Sequence, residues 1–218
     1  MGHKVHPKIM RIQVISKWAS KWYADKREYT HLFHRDLELK QVINSLLKDC
    51  GISNIEIERS KKKVVVHIHT SKPGVVIGSQ GSAIEDLRQK LAARFGEHFE
   101  INIVEIKKPE ADATLVGELI ALQIKKRVPY RRAVKQAVDR AREAGAKGVK
   151  ILCAGRLNGV EIARREFFKS GNIPLQTFRA DVSYCSVASY TTYGKIGIKV
   201  WIYKGEIFKK KQIQKIVA

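Results

Sequence analysis

The sequence lacks an uninterrupted apolar run of the roughly 18 residues that a membrane-spanning helix needs. Its first residues contain no apolar secretion-signal core, and His6 stands where a myristoylation signal has serine or threonine. These absences exclude a membrane-spanning role and predict a protein of the cytoplasm.

Cysteine is scarce as well. Cys50, Cys153 and Cys185 lie far apart, form no Cys-x-x-Cys pair and sit in apolar stretches. Such cysteines are typical of small core side chains in a reduced protein. We therefore expect neither a disulfide nor a zinc finger.

Side chains that could bind a metal are not grouped in the sequence. His3 and His6 belong to a basic chain end, and chain ends are usually loosely ordered. His67 and His69 share one face of a predicted strand, but no third ligand is apparent near them. We expect no metal ion.

Sequence signatures of enzymes are missing too. The chain contains no Gly-x-x-x-x-Gly-Lys-Ser/Thr loop, no Gly-x-Ser-x-Gly elbow and no His-Glu-x-x-His helix. Its carboxylates mostly alternate with cations and form no paired cluster. The sequence favours a non-enzymatic protein without a cofactor or a small-molecule substrate, and an RNA-processing enzyme stays open as an alternative.

Positive charge is abundant. The 218 residues include 42 Lys and Arg against 21 Asp and Glu, which gives a net charge of +21 and a pI of about 10.0. Such a field favours a polyanionic partner, and RNA fits it.

Charge and apolar patterning divide the chain into four segments. These are a basic, aromatic arm (1–36), a first domain (37–107), a second domain (110–206) and a basic tail (207–218). We interpret the arm as an extension that inserts into folded RNA, whereas Lys209-Lys210-Lys211 indicates a solvated tail. The arm residues expected to contact RNA are Lys4, His6, Lys8 and Arg11.

The first domain has a recognisable order of elements. Apolar residues from Leu37 to Leu47 recur at helical spacing, and Gly51 follows as a helix stop. Two alternating strands, a short helix, a glycine loop, a longer helix and a strand over 99–106 come next.

The glycine loop lies within the segment VVIGSQGSAI, from Val75 to Ile84. In this order of elements, its Gly-x-x-Gly resembles the backbone-gripping loop of a KH domain, where phosphates approach main-chain N–H groups at a helix N-terminus. An ordinary inter-helix turn is the alternative. Residues expected to contact RNA here are Lys72, Gly78, Ser79, Gln80, Gly81 and Arg88.

The second domain begins with two amphipathic helices, over 112–128 and 130–144, which are separated by Pro129. Strand-like segments follow at 149–153, 161–168, 180–189 and 196–203. A two-layer arrangement of two helices on a mainly antiparallel four-stranded sheet would bury both apolar faces. The fold class is therefore α+β.

Cations form two groups in the second domain. The helix after Pro129 carries Arg131, Arg132, Lys135 and Arg142 away from its apolar stripe, which favours phosphate contact over a merely solvated surface. A second RNA face is predicted from five further cations, whose phosphate contacts would give affinity without sequence readout. These are Arg156, Arg164, Arg165, Lys169 and Arg179.

Motifs along nearly the whole chain share one resemblance. They are Met1 to Pro7, Pro73 to Gly81, Arg127 to Arg132, Gly155 to Leu157, Glu161 to Arg164, Leu175 to Asp181 and Thr191 to Glu206. Together they resemble the family of bacterial small-subunit ribosomal protein three.

That resemblance implies a type II KH domain (α-β-β-α-α-β) and an α+β domain that bind small-subunit rRNA in the subunit head, beside head proteins ten and fourteen. It also implies that the basic helix lies where mRNA enters the subunit and helps to guide and unwind the message. Arg131, Arg132 and Lys135 stand at the matching positions. A free KH-domain RNA-binding regulator stays open as an alternative.

Overall fold

The structure is a computed structural model, and it describes residues 4–48, 50–60 and 63–208. Two compact units divide the chain. Residues 18–119 form the first, here called the KH unit, and residues 1–17 join residues 120–218 in the second, here called the C-terminal unit. His3 and the Lys209-Lys210-Lys211 tail lie outside the described residues.

The KH unit contains one sheet in the strand order β1-β2-β3-β4. Strands β2 and β3 are antiparallel, whereas β4 runs parallel to β3. Its elements in chain order are β1 (Ser20–Lys21), α1 (Lys26–Leu46), β2 (Ile52–Arg59), β3 (Val64–Thr70), α2 (Pro73–Ile77), α3 (Ser82–Phe95) and β4 (Phe99–Glu105). The predicted α-β-β-α-α-β fold is confirmed.

Alternation along the strands builds the core of this unit. Val64, Val66 and Ile68 of β3 are buried while their neighbours are partly exposed, so one sheet face is apolar. Leu39 and Ile43 of α1 and Leu91 of α3 complete a single buried cluster with that face. Burying each such side chain stabilises the fold by about 1.5–3 kcal/mol.

Helix α1 begins at Lys26, so the prediction of an irregular arm up to residue 36 was wrong for its last third. The reason is the environment of the first turns. Residues 26–31 are all exposed, so no core-facing stripe marks where the helix starts. The buried second half, with Leu39 and Ile43 fully enclosed, holds the helix to the sheet.

The C-terminal unit places two helices on one face of a sheet. The helices are α4 (Ala113–Lys125, which enters this unit at Ile120) and α5 (Tyr130–Glu143), and the strands are β5 (Gly148–Gly155), β6 (Arg164–Gly171), β7 (Ala180–Thr191) and β8 (Gly194–Glu206). The strand order is β6-β5-β8-β7, with every pairing antiparallel. The predicted two-layer architecture is confirmed.

Arg11 anchors the N-terminal segment to the C-terminal unit. Its side chain is only 2% exposed, and its guanidinium donates hydrogen bonds to the carbonyls of Pro7, Pro174, Leu175, Thr177 and Ala180 at 2.7–3.3 Å. These carbonyls occupy the donors that a phosphate would need. The prediction that Arg11 contacts RNA is therefore corrected to a structural role.

Candidate nucleic-acid interface

The glycine loop of the KH unit connects α2 to α3 through backbone that favours glycine. Gly78 has a φ of 72° and Gly81 a φ of 83°, both in the left-handed half of the Ramachandran plot. A Cβ on Gly78 would lie 2.7 Å from the Cβ of Ala83, whereas a Cβ on Gly81 would meet open space. Both positions thus favour glycine for conformation, and Gly78 is required for packing as well.

Beside this loop, the surface combines apolar and polar groups. Val75 is 59% exposed on α2, and Ser79 and Gln80 are exposed in the loop itself. Lys72 is also exposed, but Arg88 is held by Glu85, with Nη2 of Arg88 2.6 Å from Oε1 of Glu85. A strand of nucleotides would meet main-chain N–H groups, an apolar floor and one available lysine.

Helix α5 buries one side and exposes its cations on the other. Arg131, Arg132 and Lys135 are exposed along a shallow recess that Asp139 and Glu143 also line. The predicted fourth member, Arg142, instead donates to the carbonyls of Ala146 and Lys147 at 3.2 and 2.8 Å and so binds the loop that follows its own helix.

Arg131 is oriented by two neighbours. Its Nε donates to the Tyr130 hydroxyl at 3.0 Å, and its Nη2 lies 3.2 Å from Oε1 of Glu166 on β6. The hydrogen bond to Glu166 raises the pKa of Arg131, and the same contact lowers the pKa of Glu166. The Arg131 side chain remains 66% exposed, so its guanidinium is fixed in direction and still open to a phosphate.

The five further cations do not form one face. Arg156 donates to the carbonyls of Val160 and Tyr193, and Arg179 pairs with Glu206 at 2.6 Å. Arg164 lies at the end of β6, opposite Gly155. Only Arg165 and Lys169 share a side of the sheet, because they are an even number of residues apart on β6.

The N-terminal segment adds cations near this sheet. Burial lowers the pKa of Lys150, and the nearby Lys4 and Lys169 lower it further. The His6 ring packs edge-on against Tyr184 with centroids 4.8 Å apart, and burial and Lys8 lower its pKa. Lys4, His6 and Lys8 stay exposed, unlike Arg11.

Lys150, Lys199, Phe167 and Trp201 were not predicted as site residues. The sequence does contain a signal: Lys195, Lys199, Trp201 and Tyr203 are separated by even numbers of residues and so lie on one side of β8. It could not be used without the register that aligns β8 with β5 and β6. Among the described residues no group of three or more His, Cys, Asp or Glu side chains could hold a metal ion, and none of the helices has the length and apolarity to cross a membrane.

Comparison with known proteins gives two family matches and several close relatives. The KH domain family matches residues 38–111, and the family described as "Ribosomal protein S3, C-terminal domain" matches residues 120–202. "Small ribosomal subunit protein uS3" of Carboxydothermus hydrogenoformans is 54% identical over 95% of this chain and 93% of its own length. The protein of the same name from Enterococcus faecalis is 53% identical over 97% of each chain.

Proposed function

The chain belongs to the uS3 family of small ribosomal subunit proteins, and from this premise we propose that it lines the channel through which mRNA enters the subunit and helps to guide and unwind the message. Family membership makes it a structural constituent of the small subunit in the cytoplasm, associated with ribosomal RNA and other ribosomal proteins. It is not an enzyme.

The exposed cations of α5 are the observation that supports the channel. Arg131, Arg132 and Lys135 project from a helix whose opposite side is fixed by buried Val134 and Val138. A helix packed on a sheet gives these charges a rigid base, and Glu166 directs Arg131. Phosphate contacts of this kind hold a strand without reading its sequence, as passage of any message requires.

Replacing all three cations tests this proposal. We expect R131A/R132A/K135A subunits to assemble but to pass structured message more slowly, because the moving strand loses phosphate contacts. The matched control, K26A/R27A/K48A, removes three exposed cations from the KH unit. Equal unwinding by the triple α5 variant and the parent would refute the proposed role.

Contact of the KH loop with ribosomal RNA is a second part of the proposal. The loop offers backbone N–H groups at the start of α3, and Lys72 supplies charge. Ser79, Gln80 and the paired Arg88 contribute little charge. The affinity of this loop for RNA should therefore depend mainly on backbone N–H groups, which the conformation of the two glycines presents.

We also propose that neighbouring head proteins, numbers ten and fourteen, contact α1. Tyr29, Phe33 and Leu37 recur every four residues on this helix and are 52%, 43% and 42% exposed. Exposed apolar stripes of this kind mark protein contacts. Cross-linking from position 33 in purified subunits should capture a protein; capture of RNA alone would contradict this assignment.

Comigration distinguishes the ribosomal role from that of a free KH regulator. Tagged protein in a cell lysate should sediment with small subunits. Sedimentation only as free protein would favour the regulator.

A further inference from the structure

We propose that the side of the C-terminal sheet opposite α5, here called the outer sheet face, binds unpaired nucleotides of ribosomal RNA. Bases stack on Phe167, and the surrounding lysines bind phosphates. This inference rests on the proposed function, since ribosomal RNA is the polyanion that the chain meets in the subunit. The C-terminal unit would then have two RNA surfaces, with the α5 cations on its helical layer and the outer sheet face on its sheet layer.

Strand register defines the outer sheet face. Ile151, Ile198 and their same-parity neighbours are buried beneath α4 and α5, so residues of the other parity point away from the helices. One cross-strand row aligns Lys169, Lys150, Trp201 and Tyr184, and the next aligns Phe167, Leu152, Lys199 and Ser186. Arg165 continues the face on β6, and Lys195 continues it on β8.

Charge on this face has one sign. From the Val182–Tyr203 pair to the hairpin turn, no outer-face position of the four described strands carries Asp or Glu, whereas five carry Lys or Arg. The KH sheet provides an internal contrast. There Glu56 and Glu58 both approach Lys21, at 3.5 and 2.8 Å, and so balance its charge. Of these two described sheet surfaces, the outer sheet face is the one that complements a polyanion.

Aromatic rings lie among these cations. Nζ of Lys150 lies 5.5 Å from the centroid of Phe167 and 5.4 Å from that of Trp201. Tyr184 continues the line, with its centroid 5.2 Å from that of Trp201. A cation between two aromatic rings is attracted to both of them, which favours this arrangement of the three side chains.

Phe167 is the member of this line that can receive a base. Its side chain is 65% exposed in the middle of a strand, and Lys169 and Arg165 flank it two residues away on the same face. A role in the buried core therefore does not account for a phenylalanine at this position. A flat ring between phosphate-binding side chains suits single-stranded RNA, whose bases can splay out, whereas bases inside a duplex cannot reach it.

Binding by the full chain to a labelled, unpaired RNA of about 12 nucleotides tests the inference. We expect F167L to weaken binding about ten-fold through lost stacking while leaving duplex binding unchanged. F178L, the same change at an exposed phenylalanine in the loop before β7, is the matched control. In K169A/K199A, the slope of log binding constant against log salt concentration should fall in magnitude by about 0.7 per cation removed. The control K26A/K48A, which removes two cations from the KH unit, should leave this slope unchanged.

Cross-linking in purified small subunits identifies the occupant. A photoreactive benzophenone amino acid in place of Phe167 should capture ribosomal RNA. Capture of protein alone, or unchanged RNA affinity of F167L, would overturn the inference. The R131A/R132A/K135A variant should keep the cross-link, so loss of the channel role and loss of this surface give different results.

Discussion

Nε of Arg59 lies 2.6 Å from Oδ1 of Asp36, and the two side chains are only 9% and 5% exposed. Oδ2 of Asp36 accepts a hydrogen bond from Trp22 Nε1 at 2.8 Å, and Nη1 of Arg59 lies 2.7 Å from Oε2 of Glu97. These contacts tie the segment before α1, the helix itself, the end of β2 and the start of β4 into one polar network. Its charges are buried and satisfied together.

Removing the charge of Asp36 should therefore be costly. We expect D36N to lower the free energy of unfolding by about 3 kcal/mol, because the buried guanidinium of Arg59 loses the closer of its two carboxylates and keeps only Glu97. Urea unfolding followed by tryptophan fluorescence measures this. E100Q is the control, since Glu100 pairs with Lys63 at the same 2.6 Å but at 45% and 50% exposure. Such an exposed pair contributes less than about 1 kcal/mol, and equal losses in both variants would contradict the burial argument.

The two loop glycines should differ in their tolerance of a methyl group. G78A places a Cβ 2.7 Å from Ala83 at a φ of 72°, whereas G81A at a φ of 83° meets no neighbour. We expect a loss of about 2–3 kcal/mol in G78A and about 1 kcal/mol in G81A. Thermal unfolding gives the order, and a G81A variant as unstable as G78A would show that packing at Ala83 is unimportant.

Arg11 should control the attachment of the N-terminal segment. R11M removes the donors of five carbonyls while keeping an apolar stem, so we expect hydrogen exchange across residues 7–17 to rise at least about ten-fold. R11K keeps the charge and loses the fork of donors, and it should rescue the protection only in part. Unchanged exchange in R11M would place the anchor elsewhere.

Burial raises the pKa of the Cys153 thiol to about 12, and Glu166 adds to the shift. Above pH 9 the unfolded chain loses this proton while the folded chain keeps it, so the unfolded state binds fewer protons and stability falls as pH rises toward 12. C153A lacks this titration. The parent should be more stable than C153A near pH 8, with a gap that narrows in alkali; a constant gap would contradict the shift.

Local signals predicted most of the order of elements and the bounds of α5, but they missed the first turns of α1. Pro129 separates α4 from α5, and the predicted second helix at 130–144 agrees with the observed Tyr130–Glu143. Strand β6 was predicted over 161–168 and occupies Arg164–Gly171. Its true extent is set by pairing with β5, where Gly148 faces Gly171, and no local pattern encodes that partner.

The candidate sites divide in the same way. The α5 cations could be predicted because helical periodicity alone separates Arg131 and Lys135 from the apolar stripe. The outer sheet face could not, since the row from Lys169 to Tyr184 draws on four strands. Arg11 was misassigned for the opposite reason: a cation in a basic arm looks available until its acceptors, far along the chain, are known.

The bond from Arg11 to the Ala180 carbonyl spans 169 residues, and it sets an order of events during synthesis. At about 5–20 residues per second, Arg11 waits on the order of 10–30 s after its own translation before its four distant acceptors exist. The KH unit, encoded wholly between them, can fold in that interval. The N-terminal segment is thus synthesised first but is among the last parts of the chain to dock, because docking requires residues that are translated near the end of synthesis.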